Sequence, residues 1–465
     1  MNSPASPPPR PRSRPRSRLR RLVGLTLKLV WAATLTIVLV EIGLRILGVQ
    51  PVTATMVPRD PNQLSTDPEV AEAQRSGWIP WPTPVQSATK IPEHARGYVE
   101  IRRNRCSLRE DQEIPFEKPP GTRRIVCVGD SHTDGVCWNP ESYPNLLEQR
   151  LQADGAAAAV LFPAAGGAAQ IEVINVGFGP SSPYQQLWAY KQVHHRFGAD
   201  VVVVAFYAGN DLVDLLRTDP PVRLDLRQGT PQHVGGPAPA VAVPENRSLI
   251  ETVKRPFRDH SSIYHALTRI PWLRRQVVQQ IGTGDAYRDR IERASLAYAG
   301  PVWQGLNQAY YFRHHPEEWD GAVARERYVL EQFLAQTRAD HAELRVVVIP
   351  TLRQIHPESA AEELDDAARI LELLPDDLAT DERACDTVVG LARELQIPCL
   401  DLRGALRRAR REQPDRHLYY RFDHHLNVAG NEVVAEELQK FLVALAAGEA
   451  ARDSMAWGKD LRKVH

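Results

Sequence analysis

Cysteine is scarce in this 465-residue sequence, and neither sign of charge dominates it. The five cysteines form no C-x-x-C pair, which argues against a structural zinc site of the usual spacing. Basic and acidic residues number 57 each, so the net charge is zero and gives no reason to expect nucleic acid as a partner. The 43% hydrophobic content is ordinary for a globular protein.

The cysteines leave the disulfide state of the chain open. Cys127 lies inside a predicted strand and is expected to be a buried free thiol. In an oxidising compartment, Cys106 could pair with Cys137, and Cys385 could pair with Cys399. The odd count leaves at least one thiol unpaired in any case.

Acidic residues are absent from residues 1–21, which hold seven arginines and many prolines. Such a segment cannot bury a core, and we predict a disordered basic arm. Residues 22–40 are apolar except for Lys28 and a few hydroxyl residues, and about 20 apolar residues span a bilayer. We therefore predict a transmembrane signal-anchor helix over residues 22–47, with a buried core helix as the alternative.

The arginines before this helix determine the predicted topology. The positive-inside rule places the N-terminus in the cytoplasm and the chain after about residue 50 outside the membrane. No small-residue cleavage site is evident, so we expect the anchor to be retained. Residues 48–96 are rich in proline and polar residues and are predicted to be a linker or stalk.

Short apolar runs alternate with helical patterns over residues 97–450, which we predict to be one α/β domain with a parallel sheet. The runs start near residues 125, 171, 199, 344 and 397 and are rich in β-branched residues. Helices are predicted over residues 184–197, 324–339, 381–395 and 427–446. Thr133 and Asp134 are the predicted N-caps of a helix that continues to Leu151. Residues 451–465 form a C-terminal tail.

Residues 212–320 interrupt this alternation. They begin irregular and proline-rich and continue with helical patches that hold many aromatic residues, among them Phe312 and Trp319. We predict a large insertion over the edge of the sheet. Its aromatic residues either form the insertion's own small core or offer stacking surfaces for sugars, and the first alternative is favoured.

Polar or glycine-rich segments fall where three of the strands end and before the last helix. They are Gly-Asp-Ser at 129–131, Asn-Val-Gly-Phe-Gly at 175–179, Gly-Asn-Asp at 209–211 and Asp-His-His-Leu-Asn-Val-Ala-Gly at 423–430. Open α/β sheets bind ligands at the carboxyl ends of their strands. A serine nucleophile needs an adjacent base, a histidine can serve as that base, and a developing oxyanion needs fixed donors.

In this order, the four segments resemble the signature blocks of the SGNH (GDSL-type) hydrolase superfamily, over about residues 120–212 and 344–446. The resemblance implies a flavodoxin-like three-layer α/β/α sandwich with the insertion after the third strand. It implies Ser131 as nucleophile and His425 as base. The oxyanion donors would be the backbone N–H of Ser131, a glycine N–H of the second block and the side-chain amide of Asn210. It implies no cofactor and no metal.

The sequence departs from the family pattern at two positions. The acid usually lies three residues before the histidine, where this chain has Phe422. Asp423 is the nearest acid, and we expect it to orient His425 unless a backbone carbonyl does so. The usual glycine of the second block is replaced by Pro180, which has no N–H. We therefore expect Gly179 to be the donor, with Gly177 as the alternative.

Neighbouring residues receive structural interpretations. His424 is expected to be a neighbour of the base, since His425 is in register with the H-x-N pattern, and Asp211 is expected to support its loop. The histidine doublets at 194–195 and 314–315 suggest metal binding, but no acid or cysteine lies at ligand spacing, so no metal is predicted.

These observations predict a membrane-anchored, extracytoplasmic serine esterase that acts on acylated small molecules or polysaccharides. Acetyl groups on cell-envelope carbohydrate are the substrate class that this location suggests. An O-acyltransferase with the same site is one alternative, because a sugar hydroxyl can replace water. A binding or assembly protein without turnover is another, although the presence of Ser131, Asn210 and His425 argues against it.

Overall fold

The computed structural model describes the following parts of the chain, to which every structural statement below applies: residues 16–46, 65–75, 79, 85–89, 91, 93–162, 170–179, 181–217, 222–225, 230–233, 261–263, 307–314, 316–358, 381–421 and 423–448. The predicted C-terminal tail and most of the predicted insertion lie outside the described residues. The chain forms two compact units: Met1–Thr53 with Arg247–Arg274, and Ala54–Asn246 with Arg275–His465.

In the first unit, the long helix Arg16–Ile46 accounts for most of the described residues. It starts within the arm that we predicted to be disordered, so residues 16–21 are helical instead. Its stretch Val23–Ile46 is apolar and long enough to cross a membrane. Near its end, the Glu41 carboxylate accepts hydrogen bonds from residues 261–263 of the same unit. Length and composition suit a membrane span and a signal sequence alike, and the sidedness stays a prediction.

A five-stranded parallel sheet forms the centre of the second unit. Its strands are β1 (Thr122–Val128), β2 (Gln170–Asn175), β3 (Val201–Tyr207), β4 (Glu343–Ile349) and β5 (Cys399–Asp401). They lie side by side in the order β2-β1-β3-β4-β5 and are parallel throughout. This order is that of the flavodoxin-like fold, whose ligand sites lie where the strand order reverses, here between β1 and β3.

Helices cover both faces of this sheet because alternate side chains of each strand point to opposite sides. Val126 and Val128 of β1 face one hydrophobic core, whereas Ile125 and Cys127 face the other. The first core is completed by the helices Pro68–Arg75, Pro183–Gln192, Asp211–Arg217, Trp319–Ala339 and Arg383–Glu394. The second is completed by Tyr143–Ala153, Gly155–Leu161, Leu352–Ile355, Arg403–Glu412 and Val428–Ala446. The predicted three-layer α/β/α sandwich is confirmed.

Smaller elements connect these layers. A helix spans Asn307–His314, and 3₁₀ turns span Asn139–Glu141, His194–Phe197 and Pro316–Glu318. Two antiparallel pairs join Val85–Thr89 to Val99–Arg103 and Val222–Asp225 to Thr230–His233.

Part of the predicted linker belongs to the second unit. The helix Pro68–Arg75 lies within residues 48–96, and its Val70 and Ala73 are buried in the core of that unit. The strand Val85–Thr89 likewise lies within the predicted linker. The prediction was wrong here because a short apolar face in a polar segment is enough to anchor a helix on a preformed core.

The helix after β1 also differs from the prediction. Asp130, not Thr133 or Asp134, is the N-cap, because its side chain accepts a hydrogen bond from the backbone N–H of His132. The resulting helix is only Ser131–Asp134 long. It ends at Gly135, whose φ of 84° is in the left-handed region.

The cysteines and two aromatic residues of the predicted insertion, Phe312 and Trp319, have structural roles. All five cysteines are free, so neither candidate disulfide is formed, and Cys127 is fully buried as predicted. Phe312 and Trp319 are buried and pack edge to face, with ring centroids 4.9 Å apart. Both belong to the first hydrophobic core beside the central sheet, so the expected separate small core of the insertion is wrong for these two residues, which are buried and present no stacking surface for a sugar.

Candidate active site

Ser131 lies at the carboxyl end of β1, at the first position of the helix Ser131–Asp134. The turn between strand and helix is tight, since a Cβ at Gly129 would lie 2.1 Å from Oγ1 of Thr133. Only glycine fits there. Because the cap at Asp130 starts the helix immediately, the half-buried side chain of Ser131 is at the edge where open α/β sheets bind ligands.

His425 connects this serine to an acid. Its Nε2 lies 2.7 Å from Oγ of Ser131, and its Nδ1 lies 2.6 Å from Oδ1 of Asp423. In a neutral imidazole, Nδ1–H would donate to the carboxylate and leave Nε2 as acceptor for the serine hydroxyl. The structure thus brings together the three side chains that the sequence predicted as nucleophile, base and orienting acid.

The backbone at His424 explains how an acid only two residues before the histidine can reach it. His424 has a φ of 70°, in the left-handed region. Its N–H donates to the carbonyl of Tyr420 at 2.9 Å, and the N–H of Tyr420 donates to the carbonyl of His425 at 2.8 Å. This narrow turn folds Asp423 back beside the His425 ring. Phe422 lies outside the described residues.

The rest of the fourth block holds the start of the last helix. Asn427 caps the helix Val428–Ala446, and its Oδ1 accepts from the N–H of Gly430 at 3.0 Å. A Cβ at Gly430 would lie 2.1 Å from the carbonyl oxygen of Leu418, so glycine permits the helix to pack closely there. Both residues therefore fix the turn that carries His425.

The two candidate glycines of the second block have different surroundings. The N–H of Gly177 already donates to Oδ1 of Asn175 at 3.0 Å. Gly179 instead lies against the serine, since a Cβ there would be 2.5 Å from Cβ of Ser131 and 3.3 Å from its backbone nitrogen. This placement favours Gly179 over Gly177 as a donor to an oxyanion formed at Ser131.

The third block follows β3. The Asn210 side chain is oriented by a hydrogen bond from Nδ2 to Oδ2 of Asp214 at 2.6 Å. An amide nitrogen has two hydrogens, so one remains for an oxyanion, and that role of Asn210 stays a prediction. Asp211 accepts a hydrogen bond from the N–H of Tyr207 at 2.7 Å, which is the structural role expected for it.

Two buried arginines support the nucleophile loop and were not singled out by sequence reasoning. Arg103 and Arg109 both contact the Asp134 carboxylate, at 2.6 and 3.2 Å. Arg109 also donates to the carbonyls of Asp134 and Gly135 at 3.0 Å each. Nothing in the polar segment that contains these arginines distinguishes them from exposed ones. Only the tertiary structure shows that they hold residues 134–137.

Asn175 of the second block is likewise a support. Its Nδ2 donates to the carbonyl of Thr133 at 2.9 Å, which ties the end of β2 to the nucleophile helix. Its own N–H donates to Glu110 at 2.8 Å. Burial raises the pKa of Glu110 to about 8 despite this hydrogen bond. Sequence reasoning did not single out Glu110 either.

The electrostatics of the three central side chains suit a base poised for proton transfer. Burial lowers the pKa of His425, but the charge and the hydrogen bond of Asp423 outweigh it, with a further contribution from Asp130, and the net pKa is raised. Burial raises the pKa of Asp423, but His425 outweighs this effect and the net pKa is lowered. The pair therefore favours an ionised carboxylate beside the imidazole.

Asp130 and His132 are two further titratable groups beside Ser131, and both are buried. Burial raises the pKa of Asp130 to about 6. Burial lowers the pKa of His132 well below its usual range, and the neighbouring His425 lowers it further. Both effects favour the neutral form of the His132 ring.

Metal ligands are not grouped in the described part of the chain. No cluster there has three or more histidine, cysteine, aspartate or glutamate side chains placed to hold an ion. The doublet at 194–195 is part of a 3₁₀ turn, where His194 is buried. His315 lies outside the described residues.

Several solved structures are similar to this chain at low sequence identity. An acetyl xylan esterase, AlAXEase, is 14% identical with a TM-score of 0.31, covering 68% of this chain and 98% of its own. Axe2, an acetylxylan esterase from Geobacillus stearothermophilus, solved as a catalytic mutant, is 13% identical with a TM-score of 0.30, covering 70% and 96%. LAE5, an α/β hydrolase from the metagenome of Lake Arreo, Spain, is 14% identical with a TM-score of 0.31, covering 71% and 99%.

No protein-family model matches the chain, and a search of curated proteins found no match. TM-scores near 0.3 assign no substrate to this chain. The parallel sheet order and the contact between His425 and Ser131 are observed in this chain itself and do not depend on these neighbours.

Proposed function

We propose that this protein is an SGNH-type serine hydrolase that cleaves carboxylic ester bonds. The observation that carries the proposal is the continuous contact from Ser131 Oγ through both ring nitrogens of His425 to the Asp423 carboxylate, at 2.7 and 2.6 Å. A serine, a histidine and an acid in hydrogen-bond contact in this order are the arrangement required for nucleophilic acyl transfer.

In the first half of the reaction, Nε2 of His425 takes the proton of the Ser131 hydroxyl as Oγ attacks the carbonyl carbon. Oγ bonds to that carbon, and the carbonyl π pair moves to oxygen and forms the oxyanion. The intermediate then collapses, the bond to the leaving alkoxide breaks, and His425 returns the proton to the alcohol. Asp423 keeps the ring in the correct tautomer and stabilises the imidazolium.

In the second half, water replaces the alcohol. His425 takes a proton from water, the resulting hydroxide attacks the acyl-enzyme, and Ser131 leaves with the proton returned by His425. The oxyanion forms twice, and the proposed donors are the backbone N–H of Ser131, the N–H of Gly179 and the Asn210 amide. Donors of this kind each contribute about 10²–10³ in rate.

The substrate class follows from the expected location rather than from the site. If the helix Arg16–Ile46 anchors the chain and the catalytic unit lies outside, O-acyl or O-acetyl groups of cell-envelope carbohydrate are the accessible esters. The same acyl-enzyme can pass its acyl group to a sugar hydroxyl, so hydrolysis and transfer share every step up to the alcohol's release.

A fluorophosphonate probe tests the proposal on the full chain in detergent. We expect covalent labelling of the wild-type protein and hydrolysis of p-nitrophenyl acetate, both lost in Ser131→Ala. Ser261→Ala, which changes a serine of the first unit, should keep both. Absence of labelling and hydrolysis in folded wild-type protein would favour a binding or assembly protein instead.

Hydrolysis and acyl transfer are separated by the product. With p-nitrophenyl acetate and a sugar acceptor together, a hydrolase releases acetate in proportion to nitrophenol at every acceptor concentration. An acetylated sugar that increases with acceptor while acetate decreases would identify an acyltransferase.

A further inference from the structure

His132, the residue after the proposed nucleophile, has no part in the reaction as described above. Its side chain is only 2% exposed. Its ring packs against two others. Its centroid lies 3.7 Å from that of Tyr207 and 4.7 Å from that of His425, with interplanar angles of 30° and 31°. The ring of Tyr419 contacts His132 edge to face, with ring centroids 6.4 Å apart and an interplanar angle of 63°.

From this stacked arrangement we propose that His132 is a positioning residue for His425, and that its ring holds the imidazole of the base in the plane that directs Nε2 at Ser131. The proposal rests on the proposed function, because it assigns His132 a role toward that base. It goes further because none of the four signature blocks requires a histidine at this position.

The hydrogen bonds of His425 leave one motion of its ring unrestricted, and stacking against His132 restricts that motion. Its two ring nitrogens are held at opposite ends, by Ser131 and by Asp423. One contact at each nitrogen fixes the positions of Nδ1 and Nε2 but still allows the ring to rotate slightly about the line that joins these two atoms. A flat neighbour against one face restricts that motion, and aromatic pairs of this kind contribute beyond their buried area.

Tyr207 makes His132 a rigid neighbour rather than a mobile one. Tyr207 is the last residue of β3, is 4% exposed, and its N–H is bound by Asp211. The backbone N–H of His132 is bound by Asp130. The stack therefore extends from the centre of the sheet through His132 to the base.

The charge state of His132 is compatible with this role. The charged or titratable groups that act on the rings of the stack are Asp130, Asp211, Arg353, Asp423 and His425. Nδ1 of His132 has no hydrogen-bond partner within the described residues. A neutral ring adds no repulsion when His425 becomes an imidazolium during the reaction. A permanent cation in its place would oppose that charge.

Two variants of His132 separate ring stacking from the mere filling of space. His132→Phe keeps a flat ring, whereas His132→Leu keeps apolar volume without one. We expect His132→Leu to lower kcat for p-nitrophenyl acetate by about two- to tenfold, the range of aromatic pair contributions, with KM unchanged. His132→Phe should restore kcat. The rate of fluorophosphonate labelling should decrease in the same proportion as kcat.

His194→Leu is the matched control, because His194 is also a buried histidine but lies in the 3₁₀ turn His194–Phe197. It should lower the melting temperature as much as His132→Leu while leaving kcat unchanged. Equal kcat in His132→Leu and wild type would overturn the proposal, as would a loss in His132→Phe equal to that in His132→Leu.

The second ring of the stack provides a test that does not depend on how well His132→Phe folds. Tyr207→Leu removes the support of His132, so combining it with His132→Leu should cost less than the product of the two single losses. Independent, multiplying losses would contradict the proposal. Wild-type protein that neither labels nor turns over would instead refute the proposed function, and with it the role of His132.

Discussion

Asp423 Oδ1 lies 2.6 Å from Nδ1 of His425, although only one residue separates them. The contact depends on the left-handed backbone of His424, whose φ is 70°. The usual spacing of three residues can bring acid and histidine together on one turn, whereas a spacing of two needs this reversal. The backbone geometry at His424 therefore lets Asp423 contact His425 from a spacing of two residues.

A graded loss of activity is expected along the proposed triad. Ser131→Ala and His425→Ala should nearly abolish hydrolysis, because they remove the nucleophile and the base. Asp423→Asn should leave a measurable remainder, since an amide can still contact the ring but supplies no charge. Steady-state kinetics on purified variants would check the order, and the double variant Ser131→Ala/His425→Ala should be no worse than either single one. A fully active Asp423→Asn would reduce the triad to a dyad of Ser131 and His425.

The pH dependence of kcat/KM should report the state of His425. Its pKa is raised by Asp423 in spite of burial, and only the neutral ring can accept the serine proton. Activity should therefore be full above this raised pKa and be lost as the pH falls through it. Asp423→Asn removes the carboxylate charge, so its acid limb should move to lower pH while its maximum decreases. A limb that stays in place would show that another group controls it.

The left-handed turn at His424 predicts which substitutions it accepts. Asparagine tolerates positive φ, whereas a β-branched residue does not. His424→Asn should keep most of the activity. His424→Val should displace Asp423 and His425 and lower kcat by about 10²-fold, the cost of misplacing a catalytic group by about 1 Å. Equal activity of the two variants at equal melting temperature would contradict this account of the turn.

Asn210 is expected to act only on the transition state. Asn210→Ala should lower turnover by about 10²–10³ because it removes one fixed donor, while KM and the fold are retained. Kinetics with circular dichroism of the variant would test this. Near wild-type turnover would remove Asn210 from the mechanism and leave it a structural partner of Asp214.

The membrane topology can be tested without enzymology. Seven arginines precede the apolar helix and favour a cytoplasmic N-terminus. Alkaline phosphatase fused after residue 60 should therefore be active, whereas green fluorescent protein fused at the same position should not fluoresce. The opposite pattern would place the catalytic unit inside the cell. Release of the fusion into the soluble fraction would identify a cleaved signal sequence instead of an anchor.

Much of the sheet could be predicted from the sequence by itself. Short, continuous runs of apolar, β-branched residues are typical of buried strands, so β1, β3 and β4 were located to within a few residues. Ser131 and His425 were singled out because their segments resemble the signature blocks of a known superfamily, and their side chains are in contact in the structure. In the structure, Gly129 lies close to Thr133 and Gly430 lies close to the carbonyl of Leu418, where a larger residue would not fit.

Other features were decided only by the tertiary structure. No sequence pattern shows that Arg103 and Arg109 are buried against Asp134, because a guanidinium is usually exposed and becomes buried only when partners from distant segments meet it. The same holds for the helix Pro68–Arg75, whose apolar face is stable only on a core that other segments form. The reach of Asp423 to His425 depends on a single positive φ, which the sequence does not encode locally and which the packed loop imposes.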